Sequence, residues 1–145
     1  MRYSRMTRRV SIARPDHLDW LLSHDRDVSQ DWVERCIMHK EYLILQEDGL
    51  EIGFIRWSSF WGKIPYMDMI FVLPSSRTSG AGKLLYRAWE KAMADRGAGL
   101  LMTSCERDEQ EPLRWHMANG FEIVGEVAFP GFQNGKEVFL AKILV

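Results

Sequence analysis

The sequence predicts an α/β (α+β) fold in one domain, with four helices around a mixed, mostly antiparallel sheet of about seven strands. Three observations predict it. The chain is 145 residues long, which suits a single domain spanning 1–145. Its segments follow the order β-α-α-β-β-β-α-β-α-β-β, and a polar, glycine-bearing loop joins one apolar strand directly to the clearest helix.

The first part of the chain predicts one strand and two helices. Val10–Ala13 alternates in polarity as a strand does. Pro15 suits the start of a short helix, and Ser29 suits the N-cap of a second one. The apolar positions of these helices are Leu18, Trp20 and Leu21, followed by Trp32, Val33, Cys36 and Ile37.

Three antiparallel strands come next. Tyr42–Leu45 is an apolar strand, and the pair Asp48-Gly49 is a strong hairpin signal that leads into a strand over Glu51–Trp61. A turn over Gly62–Pro65 then leads into the strand Tyr66–Val72. This last strand ends at the glycine-bearing loop.

The second half begins with a helix that ends near Gly97–Gly99. Because a helix connects them, the next strand, Leu100–Thr103, should run parallel to the strand before the loop. A short helix over Pro112–Ala118 and two closing strands, Phe121–Ala128 and Val138–Leu144, complete the chain. The long helix carries an apolar stripe at helical spacing, formed by Leu84, Leu85, Ala88, Trp89, Ala92 and Met93.

The loop reads Arg77-x-x-Gly80-x-Gly82 between a strand and a helix, so backbone N–H groups and a helix N-terminus should meet at one point that attracts phosphate. A nucleotide-triphosphate P-loop is excluded, because Arg77 replaces its first glycine and Leu84 replaces its magnesium-binding hydroxyl. A dinucleotide fingerprint is excluded because Leu85 replaces its third glycine. A GTP- or NAD-binding domain is therefore disfavoured.

The loop resembles the acyl-CoA pyrophosphate loop of the GNAT N-acyltransferase superfamily, R/Q-x-x-G-x-G/A. Asp68–Arg77 is similar to the family segment D-x-x-x-V-x-P-x-x-R, and Glu109–Phe121 is similar to N-x-x-A-x-x-F-Y-x-x-x-G-F. The segment order is also that of the GNAT fold, so the resemblance covers nearly the whole chain. It implies a sheet splayed between Met67–Val72 and Leu100–Ser104, with acyl-CoA in the gap.

The resemblance implies acetyl-CoA as acyl donor and no metal. Arg77 would add charge to the loop or fix its shape. Backbone groups of Phe71 and Val72 would pair with pantetheine and polarise the thioester carbonyl. The pyrophosphate would sit on the backbone N–H groups of Thr78, Ser79, Gly80, Ala81, Gly82 and Lys83.

Two residues are candidates for proton transfer. His116 stands where the family usually has the tyrosine that protonates the CoA thiolate; an ordinary imidazole is protonated in about a quarter of molecules at pH 7. The alternative is a histidine stabilised at a helix C-terminus. Asp68, on the strand before the loop, is the candidate base, and a structural role for it is equally open.

The acceptor side offers weaker signals. The candidates are Trp57, Trp61, Tyr66 and Glu106, with core and cross-strand packing as the alternative for the aromatic ones. The function implied is transfer of an acetyl group from acetyl-CoA to a primary amine by direct attack in a ternary complex. The alternative is a non-catalytic acyl-CoA-binding or sensing module on the same fold. The class of acceptor stays open.

Composition excludes other classes. The net charge of −1 supplies no field for nucleic acid or an anionic membrane. The basic start, Met1–Arg9, lacks the apolar stretch of a signal peptide and suggests a solvated terminus. Cys36 and Cys105 have no metal-type spacing, which favours a reduced, cytoplasmic protein. The closing strand Val138–Leu144 offers a sheet edge for a homodimer.

Overall fold

The computed structural model of the protein describes residues 6–145. Among these residues it has the four helices and seven strands that the sequence predicts. The helices are Leu18–His24 (α1), Gln30–Met38 (α2), Ala81–Asp95 (α3) and Gln110–Ala118 (α4). The strands are Arg8–Ile12 (β1), Tyr42–Glu47 (β2), Leu50–Phe60 (β3), Ile64–Val72 (β4), Leu100–Glu106 (β5), Glu122–Ala128 (β6) and Lys136–Ile143 (β7).

The strands form one sheet in the order β1-β2-β3-β4-β5-β7-β6. The α3 crossover makes β4 and β5 parallel, whereas β1 with β2, β2 with β3, β5 with β7, and β6 with β7 are antiparallel. The ladder between β4 and β5 pairs Tyr66 with Met102 and Met67 with Thr103, in the first half of β4. A mixed, mostly antiparallel sheet of seven strands is what the sequence predicts.

The expectation that the closing strand is a sheet edge is wrong. β7 lies between β5 and β6, and Leu140 is opposite Thr103 on one side and Ile123 on the other. The turn-rich segment before β7 folds it back into the sheet, where Val138 and Leu140 are buried. The edge strand at this end of the sheet is β6, which is exposed along its whole length.

The described residues form two compact units. Unit 1 contains residues 6–57 and Met69–Lys91, and unit 2 contains Ser58–Asp68 and Ala92–Val145. Unit 1 is built on a buried cluster formed by Ala13, Leu21, Val33, Cys36, Ile37, Tyr42, Ile44 and Phe54. The buried hydrophobic residues of unit 2 include Met67, Met93, Leu101, Cys105, Val138 and Leu140.

Local signals place the element ends. The Ser29 hydroxyl accepts a hydrogen bond from the Trp32 N–H at 3.2 Å, which confirms the predicted N-cap of α2. Asp48 and Gly49 both have positive φ, 50° and 83°, as a tight hairpin turn requires. The turn after β3 is shorter than predicted, because Ile64 and Pro65 already belong to β4.

The basic start of the chain corrects one expectation. The predicted solvated terminus covered Met1–Arg9, of which residues 1–5 lie outside the described part. From Arg8 onward the chain is already in β1, where Arg8 is opposite Glu47 and forms an ion pair with it at 2.9 Å. The pairing extends the strand two residues before the predicted start at Val10.

Candidate active site

The glycine-bearing loop of unit 1 joins β4 to α3. After a short 3₁₀ turn at Pro74–Ser76, Thr78 and Gly80 adopt positive φ values of 63° and 82°. The carbonyl of Gly80 accepts the N–H of Leu84 at 3.0 Å, which marks the start of helical hydrogen bonding. The N–H groups of Ala81–Lys83 therefore belong to the first turn of a 15-residue helix, where a phosphate can accept from them.

Arg8 on β1 holds Ser79 of the loop in place. Arg8 donates from Nη1 to the Ser79 carbonyl at 3.0 Å and from Nη2 to its hydroxyl at 2.9 Å. The Ser79 hydroxyl in turn donates to the carbonyl of Ser76. These bonds fix the loop before any ligand arrives.

Arg77 fixes the other side of the loop. Its Nε donates to the carbonyl of Val72 at 3.0 Å, and its guanidinium lies 5.9 Å from the centre of the Phe71 ring. Between the two expected roles for Arg77, these contacts favour the fixing of the loop. They also engage the carbonyl of Val72, one of the two residues whose backbone is predicted to pair with pantetheine.

Gly53 on β3 lets β4 come close. A Cβ built on Gly53 would lie 2.7 Å from the carbonyl oxygen of Phe71, closer than any side chain tolerates. The Phe71 ring stacks on Phe54 with centroids 5.6 Å apart. The end of β4 that leads into the loop is thus set by a glycine and an aromatic contact.

His116 lies in the last turn of α4, in unit 2, and is only 5% exposed. Its ring contacts those of Trp115 and Phe121, and its Nδ1 has no hydrogen-bond partner among the described residues. Burial lowers the pKa of the imidazole to about 4. At pH 7 roughly one molecule in a thousand is then protonated, not the quarter expected from an ordinary imidazole.

The predicted acceptor-side residues differ in exposure. Trp57 is buried, at 4% exposure, which favours the packing alternative. Trp61 is 78% exposed, at a turn position with a φ of 57°. Glu106 is exposed at the end of β5, and Tyr66 and Asp68 are half-buried on β4.

Comparison with known proteins now places the chain. Residues 8–121 match the sequence profile of the acetyltransferase (GNAT) family. The chain belongs to the GNAT acetyltransferase family. A relative of this GNAT chain is the uncharacterized N-acetyltransferase YjcF of Bacillus subtilis (strain 168), with 24% identity over 104 residues, 70% of this chain and 69% of YjcF.

Solved structures share the GNAT fold. Ard1 from Thermoplasma volcanium superposes with a TM-score of 0.82 and 15% identity, covering 95% of this chain and 98% of Ard1. The PaiA N-acetyltransferase from Thermoplasma acidophilum, solved in complex with coenzyme A, superposes with a TM-score of 0.69 and 18% identity, covering 96% and 100%.

Three polar residues of this GNAT chain escape analysis of the sequence. Ser104 and Glu137 form a hydrogen-bonded group with Tyr66, and Arg8 holds the loop. Each is a single polar residue without a motif, and its partner lies tens of residues away in the chain. Only the pairing of strands brings them together.

None of the helices within residues 6–145 is long and apolar enough to cross a membrane. Those residues also contain no group of three or more His, Cys, Asp or Glu side chains that could hold a metal ion.

Proposed function

We propose that this GNAT protein is an acyl-CoA-dependent N-acyltransferase that moves an acetyl group from acetyl-CoA to a primary amine by direct attack in a ternary complex. The observation that carries the proposal is the loop between Arg77 and Lys83, which is fixed by Arg8 and Arg77 and opens into the N-terminus of α3. Membership of the GNAT family supports acyl transfer, and the CoA complex of the PaiA relative supports the ligand.

The pyrophosphate would accept hydrogen bonds from the backbone of the loop and of the first turn of α3. A helix N-terminus adds a partial positive charge there. The side chains of Thr78 and Ser79 are already engaged, donating to the Arg77 and Ser76 carbonyls respectively, so we assign the phosphate contacts to backbone N–H groups. The Phe71 and Val72 backbone would bind pantetheine. The contacts proposed for the pyrophosphate are the N–H groups of Thr78, Ser79, Gly80, Ala81, Gly82 and Lys83.

We propose Asp68 as a carboxylate that assists loss of the amine proton, and His116 as the group that protonates the CoA thiolate. With a pKa of about 4, the imidazole would need the developing thiolate beside it to draw a proton onto the ring. The role therefore predicts that His116→Phe lowers kcat by about 10²–10⁴-fold. Wild-type turnover in that variant would remove His116 from the mechanism.

A primary amine that carries charge at neutral pH suits the acceptor side. The proposed contacts are Tyr66, Trp61 and Glu106, because aromatic rings and a carboxylate attract such a cation. The acceptor of the protein, its cytoplasmic location and its assembly as a homodimer remain predictions from the sequence.

The second candidate is a non-catalytic acyl-CoA-binding or sensing module. The neutral, buried His116 in place of the usual tyrosine favours it. Such a module would bind acetyl-CoA through the same loop and release no CoA with any amine, so turnover separates the two candidates.

The first experiment is thermal unfolding with acetyl-CoA, CoA, ATP and NAD in parallel. A ligand at 100 times its Kd adds about 2.7 kcal/mol to the free energy of unfolding. For a domain of this size the melting temperature then rises by about 5–15 °C. A rise with acetyl-CoA and CoA alone, followed by CoA release with members of an amine panel, is the expected result. A rise with ATP or NAD instead would contradict the loop assignment.

A further inference from the structure

Three polar side chains on neighbouring strands of unit 2 form a continuous hydrogen-bonded chain. The Tyr66 hydroxyl on β4 is hydrogen-bonded to the Ser104 hydroxyl on β5. The Ser104 hydroxyl donates to Oε2 of Glu137 on β7 at 2.5 Å. All three residues are half-buried, so the chain is shielded from bulk water without being sealed in the core.

The proton arrangement in this chain has one solution. A serine hydroxyl carries one proton, and an ionised carboxylate can only accept. Because Ser104 gives its proton to Glu137, its oxygen must accept from Tyr66. The hydroxyl protons therefore all point toward Glu137, and the oxygen of Tyr66 keeps a free lone pair at the far end of the chain.

A hydrogen bond from Gln133 holds Glu137 in place, and burial keeps the Tyr66 phenol uncharged at pH 7. The other carboxylate oxygen of Glu137 accepts a hydrogen bond from Gln133 Nε2 at 3.3 Å. Burial raises the pKa of the Tyr66 phenol. The hydrogen bond with Ser104 opposes this shift, and the negative charges of Glu137 and Asp68 add to it, so that the net direction is upward. A neutral phenol at pH 7 can accept one proton and pass on another.

The charged groups near Glu137 are of both signs. Lys136 precedes it on β7, and Arg107, whose N–H donates to the Lys136 carbonyl, forms an ion pair with Glu126 on β6. Glu106 lies directly opposite Glu137 across the β5–β7 ladder. Burial raises the pKa of Glu109, and the negative charges of Glu106 and Glu137 raise it further. Burial, followed by the charge of Glu137, raises the pKa of the Cys105 thiol to about 11. The carboxylates of Glu106 and Glu109 attract an acceptor that arrives as a cation.

We propose that the chain from Tyr66 through Ser104 to Glu137 is a proton relay that deprotonates the ammonium form of the acceptor amine. The inference rests on the proposed acyltransferase function and names the relay, in place of Asp68, as the base that takes the first amine proton. Tyr66 would touch the substrate and act as a catalytic residue. Ser104 and Glu137 would act through it.

The transfer balances in three moves. The acceptor nitrogen gives a proton to the Tyr66 oxygen as the Tyr66 proton passes to Ser104 and the Ser104 proton passes to Glu137. The ammonium becomes a neutral amine, the carboxylate becomes a carboxylic acid, and both hydroxyls end neutral. The amine then attacks the acetyl carbonyl, the C–S bond breaks, and the second amine proton ends on the CoA sulfur.

A relay acts only on an amine that is charged, and this separates it from a structural role. An alkylamine of the lysine type has a pKa of ~10.4, so almost all of it must lose a proton at pH 7. As the pH rises toward 10, solvent removes that proton and the relay becomes unnecessary. A variant without the relay should therefore recover toward wild type at high pH, whereas a merely misfolded site should not.

The test measures CoA release with an amine identified by the panel, using Glu137→Gln, Ser104→Ala and Tyr66→Phe. We expect each to lower kcat/KM about 10²–10³-fold at pH 7, and by less than about tenfold at pH 9.5. Ser104→Thr keeps the hydroxyl and should stay within about threefold of wild type. Glu122→Gln on the exposed edge strand removes one carboxylate elsewhere in unit 2 and is the control for charge.

Each outcome decides the question. Wild-type kcat/KM in Glu137→Gln, a deficit that is the same at every pH, or equal losses in Ser104→Thr and Ser104→Ala would overturn the relay. A large loss in Asp68→Asn with none in Glu137→Gln would assign the base to Asp68 alone. All variants should keep the rise in melting temperature with acetyl-CoA. No CoA release by the wild-type protein with any amine would overturn the acyltransferase function, and the relay with it.

Discussion

Arg8 and Ser79, 71 positions apart in the sequence, are joined by two hydrogen bonds of 3.0 and 2.9 Å. The same guanidinium is held by Glu47 at 2.9 Å. A planar guanidinium that contacts three acceptors in this way has little freedom left. The first strand of the fold therefore orders the proposed pyrophosphate loop. Ligand binding then does not include the free-energy cost of ordering the loop.

Arg8→Ala should weaken the binding of coenzyme A about three- to tenfold. Without the guanidinium, part of the ordering entropy of the loop is lost at binding instead of at folding, and a factor of ten corresponds to about 1.4 kcal/mol. Isothermal titration with CoA measures the effect. Arg9→Ala removes the same charge from an exposed neighbouring position and is the control. Equal losses in both variants would show that net charge, and not the contact with Ser79, is responsible.

Gly53→Ala should disturb the strand that leads into the loop. The added Cβ would lie 2.7 Å from the Phe71 carbonyl oxygen, which is backbone and can move only with β4. We expect a loss of about 1–3 kcal/mol in the free energy of unfolding and weaker binding of CoA. Chemical denaturation and titration measure both. Gly99→Ala, where a Cβ meets nothing within 4 Å, should change neither; a similar loss there would point to glycine replacement in general.

The element order could be predicted because each signal is local. Ser29 caps α2 through a residue three positions away, and Asp48-Gly49 turns a hairpin through its own backbone angles. The position of β7 in the sheet could not be predicted, because it depends on which strands pair with one another. Lys136–Ile143 lies between β5 and β6 and not at the edge of the sheet. Strand length alone does not choose between these arrangements.

The candidate site, like the fold, could be predicted only in part. The loop motif around Gly80 could be found in the sequence, since its chemistry lies in consecutive backbone groups. The protonation state of His116 could not be predicted from the sequence. Its pKa of about 4 is caused by burial, which depends on how Trp115 and Phe121 pack against the ring. The hydrogen bond of Glu137 could not be predicted either, because its partner Ser104 is 33 positions away in the sequence.

Asp25→Asn should strongly destabilise unit 1. Asp25 is 2% exposed and accepts from Arg56 Nε at 2.7 Å and from the Tyr42 hydroxyl at 2.6 Å. Neutralising the carboxylate removes the negative charge that Asp25 places beside the buried Arg56 guanidinium, which costs about 3–5 kcal/mol. Denaturant unfolding measures the loss.

Tyr42→Phe is the matched comparison for that buried pair. It removes one hydrogen bond to a charged group and leaves the ion pair intact, so the expected loss is about 1.5–3 kcal/mol. A loss in Tyr42→Phe as large as that in Asp25→Asn would mean that packing around the ring, and not the buried charge, dominates this cluster.

The buried imidazole of His116 should make the fold sensitive to mild acid. Its pKa is about 4 in the folded protein and ~6.5 in an unfolded chain, so between these values the unfolded state binds more protons. The free energy of unfolding should therefore fall as the pH drops from about 6.5 to about 4, by about 3 kcal/mol in total, and the contribution should be complete above pH 6.5.

Urea unfolding from pH 4 to 7.5 tests this with His116→Phe, in which that part of the slope should vanish. His39→Gln, at an exposed position, should keep the wild-type slope and controls for loss of a histidine. Identical slopes in wild type and His116→Phe would mean that the imidazole is protonated in the folded state near pH 6. That result would restore the imidazolium as a proton donor for the thiolate, so the stability curve bears directly on the proposed chemistry.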